Sequence, residues 1–300
     1  MYSKKFVDFF GYLCYNHNVE KNEEIKQIMI IDFHTHTFPD KIAEKTIAYL
    51  AEKGNVKPYR EGTLSSLKES MKKAGVDYSV VLPVATAPKQ VESINNLAAE
   101  LNGKDGIIYS GAIHPDYEDI DGALDFIKNA GLFGVKIHPD YQGVYFNDPR
   151  VLRILDGAAK RGLYIVTHAG VDVGYPDDIH CTPDMVIEVL EKLKGTIENK
   201  LILAHLGGCD LPDEVLEKLC GKPVYMDTAV VLDRYPEKSV EIIKAHGADK
   251  ILFATDSPWA DQKDFIELLK SFGFSKRENE MMFSENGLKI LKSAGISLQV

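Results

Sequence analysis

From Met29 onward, short apolar runs rich in β-branched residues alternate with longer segments whose apolar positions recur every three or four residues. The runs are Met29–His34, Tyr78–Val84, Gly106–Ile113, Phe133–His138, Leu163–His168, Leu201–His205, Val224–Thr228 and Ile251–Asp256. A short apolar run bounded by polar or turn residues predicts a strand, and the three-to-four spacing predicts a helix. Helices are accordingly predicted over Asp40–Lys53, Thr63–Ala74, Val91–Leu101, Asp148–Arg161, Pro183–Leu193 and Pro236–His246. Strands that alternate with helical segments make βαβ units and a parallel sheet. Runs this continuously apolar suit strands covered on both faces.

Eight such units in about 260 residues predict an α/β protein with a single closed (β/α)8 TIM barrel. An open doubly wound sheet would place a glycine-rich turn after the first strand; here that turn reads His34-Thr35-His36-Thr37-Phe38-Pro39. No change of composition and no Pro/Gly/Ser-rich linker divides the chain after Met29. The domain reading is therefore a barrel over residues 29–300 preceded by an extension, 1–28, that the barrel does not need. Lys4, Lys5 and the apolar stretch Phe6–Tyr15 imitate a signal peptide, but Asp8 interrupts the stretch and no small-residue cleavage site follows. The tail after Ser275 is predicted to form one or two helices packed outside the barrel.

The polar residues that interrupt this pattern collect at strand ends, where a barrel builds its active site. His34 and His36 stand two apart on the first strand, so both face one side and can reach one metal. The fifth strand ends in Thr167-His168-Ala169-Gly170, the sixth in Ala204-His205-Leu206-Gly207-Gly208 and the eighth in Ala254-Thr255-Asp256-Ser257-Pro258. Four histidines and an aspartate at predicted strand ends point to a divalent metal. Imidazole and carboxylate suit Zn²⁺ first, with Mn²⁺, Fe²⁺ or Ni²⁺ as further candidates.

This ordered set resembles the amidohydrolase superfamily. Gly134-Val135-Lys136-Ile137-His138-Pro139, Ala204-His205-Leu206-Gly207-Gly208 and Thr255-Asp256-Ser257-Pro258-Trp259 resemble its amidohydrolase-related branch, which includes aminocarboxymuconate-semialdehyde decarboxylase. The resemblance implies that His34, His36, His168 and Asp256 are metal ligands and that Asp256 shuttles the proton of a metal-activated water. It implies for His205 either a second metal or an acid–base or electrostatic role beside a single one. Lys136 has three readings: a carboxylated bridge between two metals, an unmodified pocket lysine, or a structural group. The number of ions is thus one or two.

Further candidates for substrate contact are His138, which shares the parity of Lys136, His114 before Pro115, His180 in the loop after the fifth strand, Asp227 near the end of the seventh, and Trp259. Asp32 is expected to support the metal ligands by hydrogen bonding. Arg60, Arg150 and Arg153 are the arginines considered for holding a substrate carboxylate, with surface roles favoured by their helix-side positions. His246 is read as a helix C-terminal or surface residue, and His17 has no evident partner.

Charge and cysteine content narrow the class. The net charge of -10 disfavours a nucleic-acid surface, which needs clustered Lys and Arg. No apolar run reaches the ~20 residues of a membrane span. Cys14, Cys181, Cys209 and Cys220 show no metal or redox spacing, which suits reduced thiols and a cytoplasmic protein. The expected partner is a small-molecule substrate, and assembly as a homo-oligomer is compatible with the sequence. The leading functional reading is a metal-dependent hydrolase of an amide, lactone or related carboxyl-derived bond. The alternative is nonoxidative decarboxylation of an unsaturated or aromatic acid on the same scaffold. A catalytically silent binding barrel is the third, and it would be expected to have lost a strand-end ligand.

Overall fold

The apolar runs become strands somewhat shorter than their sequence patterns. The computed structural model describes residues 28–298; His17, Cys14 and most of the predicted extension lie outside that range. The strands are β1 Ile31–Thr35, β2 Tyr78–Val81, β3 Ile107–Tyr109, β4 Gly111–Ala112, β5 Gly134–Ile137, β6 Tyr164–Thr167, β7 Leu201–Leu203, β8 Tyr225–Asp227 and β9 Ile251–Leu252. All their pairings are parallel, in the orders β1-β2-β3 and β4-β5-β6-β7-β8-β9.

β3 and β4 are two halves of the single predicted run Gly106–Ile113. The run changes partner at Ser110: β3 pairs with β2 and β4 with β5, while the Ser110 N–H still donates to the Val81 carbonyl at 3.1 Å. Asn95, from the helix Val91–Leu101, satisfies the backbone N–H and carbonyl of Ala112 at 2.8 and 3.0 Å. At the other seam, the Phe33 N–H donates to the Phe253 carbonyl at 2.9 Å, Asp256 N–H to His34 at 2.8 Å and His36 N–H to Ser257 at 2.7 Å. The eight predicted runs thus surround one interior as a (β/α)8 barrel.

Alternation along the strands sorts their side chains into two apolar layers. Val80, Leu82, Ile108, Val166, Ile202, Tyr225 and Leu252 form an inner cluster. Val81, Ile107, Val135, Ile165, Leu203 and Met226 belong to the layer beneath the outer helices. Helix starts follow local capping chemistry. Thr63, Asp148, Thr182 and Asp261 each accept a first-turn N–H through a side-chain oxygen, so the helices begin one residue after a polar cap. Helices at Ile120–Asn129, Pro212–Lys218 and Gln262–Ser271 add to the outer layer.

The tail departs from its prediction. It does form helices, but Ile290, Leu291 and Ala294 around the last one, Asn286–Ser293, join the inner cluster. Tyr164 and Ser293 hydroxyls meet at 2.6 Å, and Gly287 lies against Phe33 and Ile31. The apolar face of this helix covers the end of the barrel interior that the early strand residues leave open, so it closes the floor rather than packing outside. Among the described residues, no helix is long and apolar enough to cross a membrane.

Candidate metal centre

β1 delivers its two histidines through a change of register. Asp32 lies opposite Ser79 and Thr35 opposite Val81, so β1 carries one extra residue there, a β-bulge. Strict alternation would place Asp32 and His34 on one face. Instead Phe33 enters the inner cluster, and Asp32 turns into the seam between β1 and the segment after β9. There its carboxylate accepts from the Thr255 N–H at 3.0 Å, the Thr255 hydroxyl at 2.6 Å and Gln262 Nε2 at 2.8 Å. Burial pushes the Asp32 carboxyl up to about 7 against those donors. Asp32 therefore ties the seam together and reaches His34 through its backbone N–H at 3.3 Å, not through the imidazole.

The hydrogen-bond partners of His34 and His36 decide their tautomers. His34 Nδ1 lies 2.8 Å from Asp227 Oδ2, and His36 Nδ1 lies 2.9 Å from the Leu82 carbonyl. Both partners present acceptor oxygens, so each Nδ1 carries the proton and each Nε2 presents a lone pair. The two Nε2 atoms face each other at 3.1 Å. Asp256 Oδ1 stands 3.1 Å from His36 Nε2 and 3.6 Å from His34 Nε2, is buried, and has no hydrogen-bond donor. Three electron-rich atoms thus converge with no proton of their own to share between them. That arrangement fits a divalent cation.

Lys136 projects from β5 into the same place, its Nζ 3.3 Å from His34 Nε2 and almost fully buried. Burial pushes its ammonium down to about 8 despite Asp227 and Asp256. Burial, and then the Lys136 charge, hold His34 well below the usual imidazole range, which keeps it neutral and able to ligate.

His168 and His205 form the opposite wall. His205 Nδ1 lies 3.0 Å from the Ala229 carbonyl and must donate to it; Nε2 lies 3.0 Å from His168 Nδ1. With both rings neutral, His168 Nδ1 donates to His205, and His168 Nε2 is left as a buried lone pair without a partner. Asp227 organises both walls. Its Oδ2 holds His34, while Oδ1 accepts the backbone N–H groups of His205 at 3.0 Å and Ala229 at 3.1 Å. It is an orienting group beneath the histidines, not the substrate contact for which the sequence made it a candidate.

His138, His168 and Asp172 form a second group of nearby ligand atoms. The His138 and His168 rings are stacked, with centroids 4.4 Å apart and planes 10° from parallel. Lone pairs lie in the ring planes, so those of stacked rings run side by side instead of converging. This second group is consequently not preformed for one ion. Asp140, whose Oδ1 bonds His180 Nδ1 at 3.0 Å, lies beside it, with Oδ2 3.6 Å from His138 Nδ1. Burial and Asp172 push the Asp140 carboxyl up to about 6.

A cleft of about 2040 Å³ opens above these residues, and His34, His36, Lys136, His138, His168, His205, Asp256 and Trp259 all line it. His114 and His180 are not among its lining residues: His114 Nδ1 accepts the Asp116 N–H at 3.1 Å, and His180 stacks on Tyr145. Their own loops use up the polarity that made them candidates. Arg60 pairs with Asp261, Arg150 with Asp148 and Asp116, and Arg153 with Asp121. His246 bonds the Val224 carbonyl at 3.0 Å and is buried at its helix end. Sequence reasoning missed Asp140, Tyr141, Asp172 and Arg234. The first of these follows His138-Pro139, where proline opens the short helix Pro139–Gln142.

Asp227 yields a test of the tautomer argument. Asp227→Asn can offer His34 an amide donor in place of the carboxylate. Second-layer changes of this kind cost about 10–100-fold in metal affinity, so that loss is expected in a competition titration against a chelator. Unchanged affinity would separate Asp227 from metal binding.

A family model described as amidohydrolase matches residues 31–292. No curated protein matches the chain. Among solved structures, the 5-carboxyvanillate decarboxylase of Sphingomonas paucimobilis superposes with a TM-score of 0.64 at 14% identity, covering 88% of this chain and 99% of that one. A probable 2-pyrone-4,6-dicarboxylic acid hydrolase of Acinetobacter baumannii, with citric acid bound, gives 0.63 at 17% identity over 88% and 99%. A dihydroxybenzoic acid decarboxylase of Polaromonas sp. JS666, with manganese and 2-nitroresorcinol bound, gives 0.65 at 13% identity over 88% and 97%.

Proposed function

The chain belongs to the amidohydrolase family, and from that premise we propose that it is a metal-dependent hydrolase of a lactone, amide or related carboxyl-derived bond. The observation that carries the proposal is the convergence of His34 Nε2, His36 Nε2 and Asp256 Oδ1, three acceptors with no donor among them. His34, His36 and Asp256 would hold the ion, with His168 as the fourth ligand. Zinc suits this set best, and manganese, iron or nickel are compatible with it. When bound, a divalent cation supplies Lewis-acid polarisation of the reacting carbonyl.

The remaining work falls to side chains. Hydrolysis requires a base for the attacking water and an acid for the leaving group. Asp256, without a donor on Oδ1, accepts the water's proton and returns it to the leaving atom. His205, pinned through Nδ1 to Ala229, keeps Nε2 beside His168 and serves as the acid–base group next to the ion. Asp227 fixes the tautomer of His34 and the backbone of His205 together. Lys136 stays an unmodified pocket lysine in this reading, its ammonium facing His34 Nε2.

A second reading, decarboxylation, is favoured by the aromatic wall. Tyr141 stands edge-on to His138 at 4.4 Å and to Tyr175 at 5.5 Å, and all three line the cleft with Trp259. A planar acid could lie against it while Asp256 takes a proton from water and passes it to the carbon whose bond to the carboxylate breaks, the departing carbon dioxide and the hydroxide leaving as bicarbonate. Two of the structural neighbours above carry names for decarboxylations.

One experiment tests both. Metal-loaded protein is expected to open carboxylated and alkyl lactones, to stop after chelation, and to resume when one equivalent of Zn²⁺ or Mn²⁺ is restored. Carbon dioxide release from dihydroxybenzoates without lactone opening would replace the first reading with the second. Inertness towards both classes, metal-loaded, would reject the enzyme assignment. Two ions at full occupancy, with partial rescue of Lys136→Ala by short carboxylic acids, would overturn the unmodified lysine in favour of a carboxylated bridge.

A further inference from the structure

The cleft is larger than the chemistry on its floor requires. Sites for small ligands typically enclose about 300–1000 Å³, whereas this space measures about 2040 Å³. Its histidines and the Asp256 carboxylate gather at the metal centre, and apolar surface predominates over the cleft as a whole. Beyond Phe38 the lining runs towards Leu97 and Leu101, between the helices Leu64–Ala74 and Val91–Leu101, where Leu64, Ile94 and Ala98 share it with Ser65, Lys68, Gln90 and Ser93.

Exposed apolar residues concentrate on this same space. Among the described residues, the large exposed hydrophobic side chains are Ile42, Tyr49, Tyr59, Leu97, Phe126, Tyr145 and Val173. All but Phe126 and Tyr145 line the cleft. The helix Asp40–Gly54 explains part of this: it buries only Ala43 and Ile47, leaving Ile42 and Tyr49 on the cleft wall. Lys68, the cation nearest the far end, is engaged by Asp105 at 2.6 Å. Solvent-facing apolar side chains are ordinary when scattered, but five that line one cleft mark a surface that something apolar covers.

The arm opens into the space above His34, His36 and Asp256, so an occupant can extend from the reacting group without a break. We propose that the arm takes the apolar tail of the substrate, which is therefore amphipathic: a carboxyl-derived headgroup on the metal-centre floor and an unbranched alkyl chain lying along Tyr49 and Leu97. The inference rests on the hydrolytic reading for its headgroup. The tail itself rests on the apolar arm alone.

Two measurements on the metal-loaded full chain keep those premises apart. The first is kcat/KM for γ-lactones with a constant ring and tails lengthened from γ-butyrolactone to γ-dodecalactone. A buried methylene contributes about fourfold in affinity, and with the arm half open the series is expected to gain about 100-fold overall. The second is binding of butyrate, octanoate and dodecanoate followed by fluorescence of Trp259, the single tryptophan, which lines the cleft. Dodecanoate should bind at least 100-fold more tightly than butyrate. Tyr49→Asp and Leu97→Asp should each remove tenfold or more of that preference, while Phe126→Asp, away from the cleft, should keep it.

A flat fatty-acid series, or an equal effect of Leu97→Asp and Phe126→Asp, overturns the tail whatever the lactones do. A graded fatty-acid series without lactone turnover upholds the tail and removes the hydrolytic reading instead.

Discussion

Asp256→Asn is expected to give a folded protein that retains metal poorly and turns over at least about 1000 times more slowly. The substitution keeps the shape of the side chain and the contacts made by its backbone. Those contacts are the N–H donated to His34 at 2.8 Å and the carbonyl that accepts from Trp259 at 2.8 Å. The backbone itself, at a φ of 66°, lies in the left-handed region that Asn occupies as readily as Asp. What changes is Oδ1, the acceptor that meets His34 and His36 Nε2. Losing its charge removes one ligand and the proposed base together. Loss of a positioned acid–base group alone costs about 10²–10⁴-fold, and weaker metal retention deepens the loss. Elemental analysis, kcat/KM and a thermal melt on one preparation separate the effects. Full metal content with turnover within tenfold of the parent would remove Asp256 from both roles.

How far the sequence carried depended on whether the relevant signal was periodic. The barrel was legible because strand and helix periods differ and repeat eight times. His34, His36, His168, His205 and Asp256 were legible as candidates because they interrupt apolar runs at their C-terminal ends, the end where a barrel keeps its chemistry. Asp32 was legible as a hydrogen-bonding support of His34, but not in its detail, because alternation carries no mark of an inserted residue. Only the register against β2 reveals the bulge that turns it towards Thr255 and Gln262. The last helix was predicted but sent to the wrong surface, since an amphipathic pattern tells which face is buried and not against what. Ile290 and Leu291 meet the barrel floor only once the strands have built it. Asp140 and Asp172 lie beyond strand ends, where no period operates, and their place beside His138 and His168 is a property of the folded loops.

His205→Ala is the change that divides a one-metal centre from a two-metal one. In a one-metal centre, His34, His36 and Asp256 keep the ion, because none of their hydrogen bonds passes through the His205 ring. Asp227 Oδ1 accepts from the backbone N–H at position 205, which alanine retains, and Oδ2 still holds His34 Nδ1. The variant is then expected to bind one ion per chain with turnover lowered about 10²–10⁴-fold. His168 loses the acceptor of its Nδ1 proton, so part of that loss should reflect a less firmly oriented ring. Imidazole added to the assay should restore some turnover by entering the space the side chain leaves. In a two-metal centre, by contrast, His205 is a ligand, and the variant should lose one ion of two while the other stays. The comparison variant is His34→Ala, which should strip metal under either arrangement because it deletes one of the converging acceptors. Metal content that stays at one ion in His205→Ala and falls in His34→Ala supports the single-ion centre with Lys136 unmodified. A fall from two ions to one in His205→Ala would give the lysine the bridging role and require the catalytic assignment of His205 to be withdrawn.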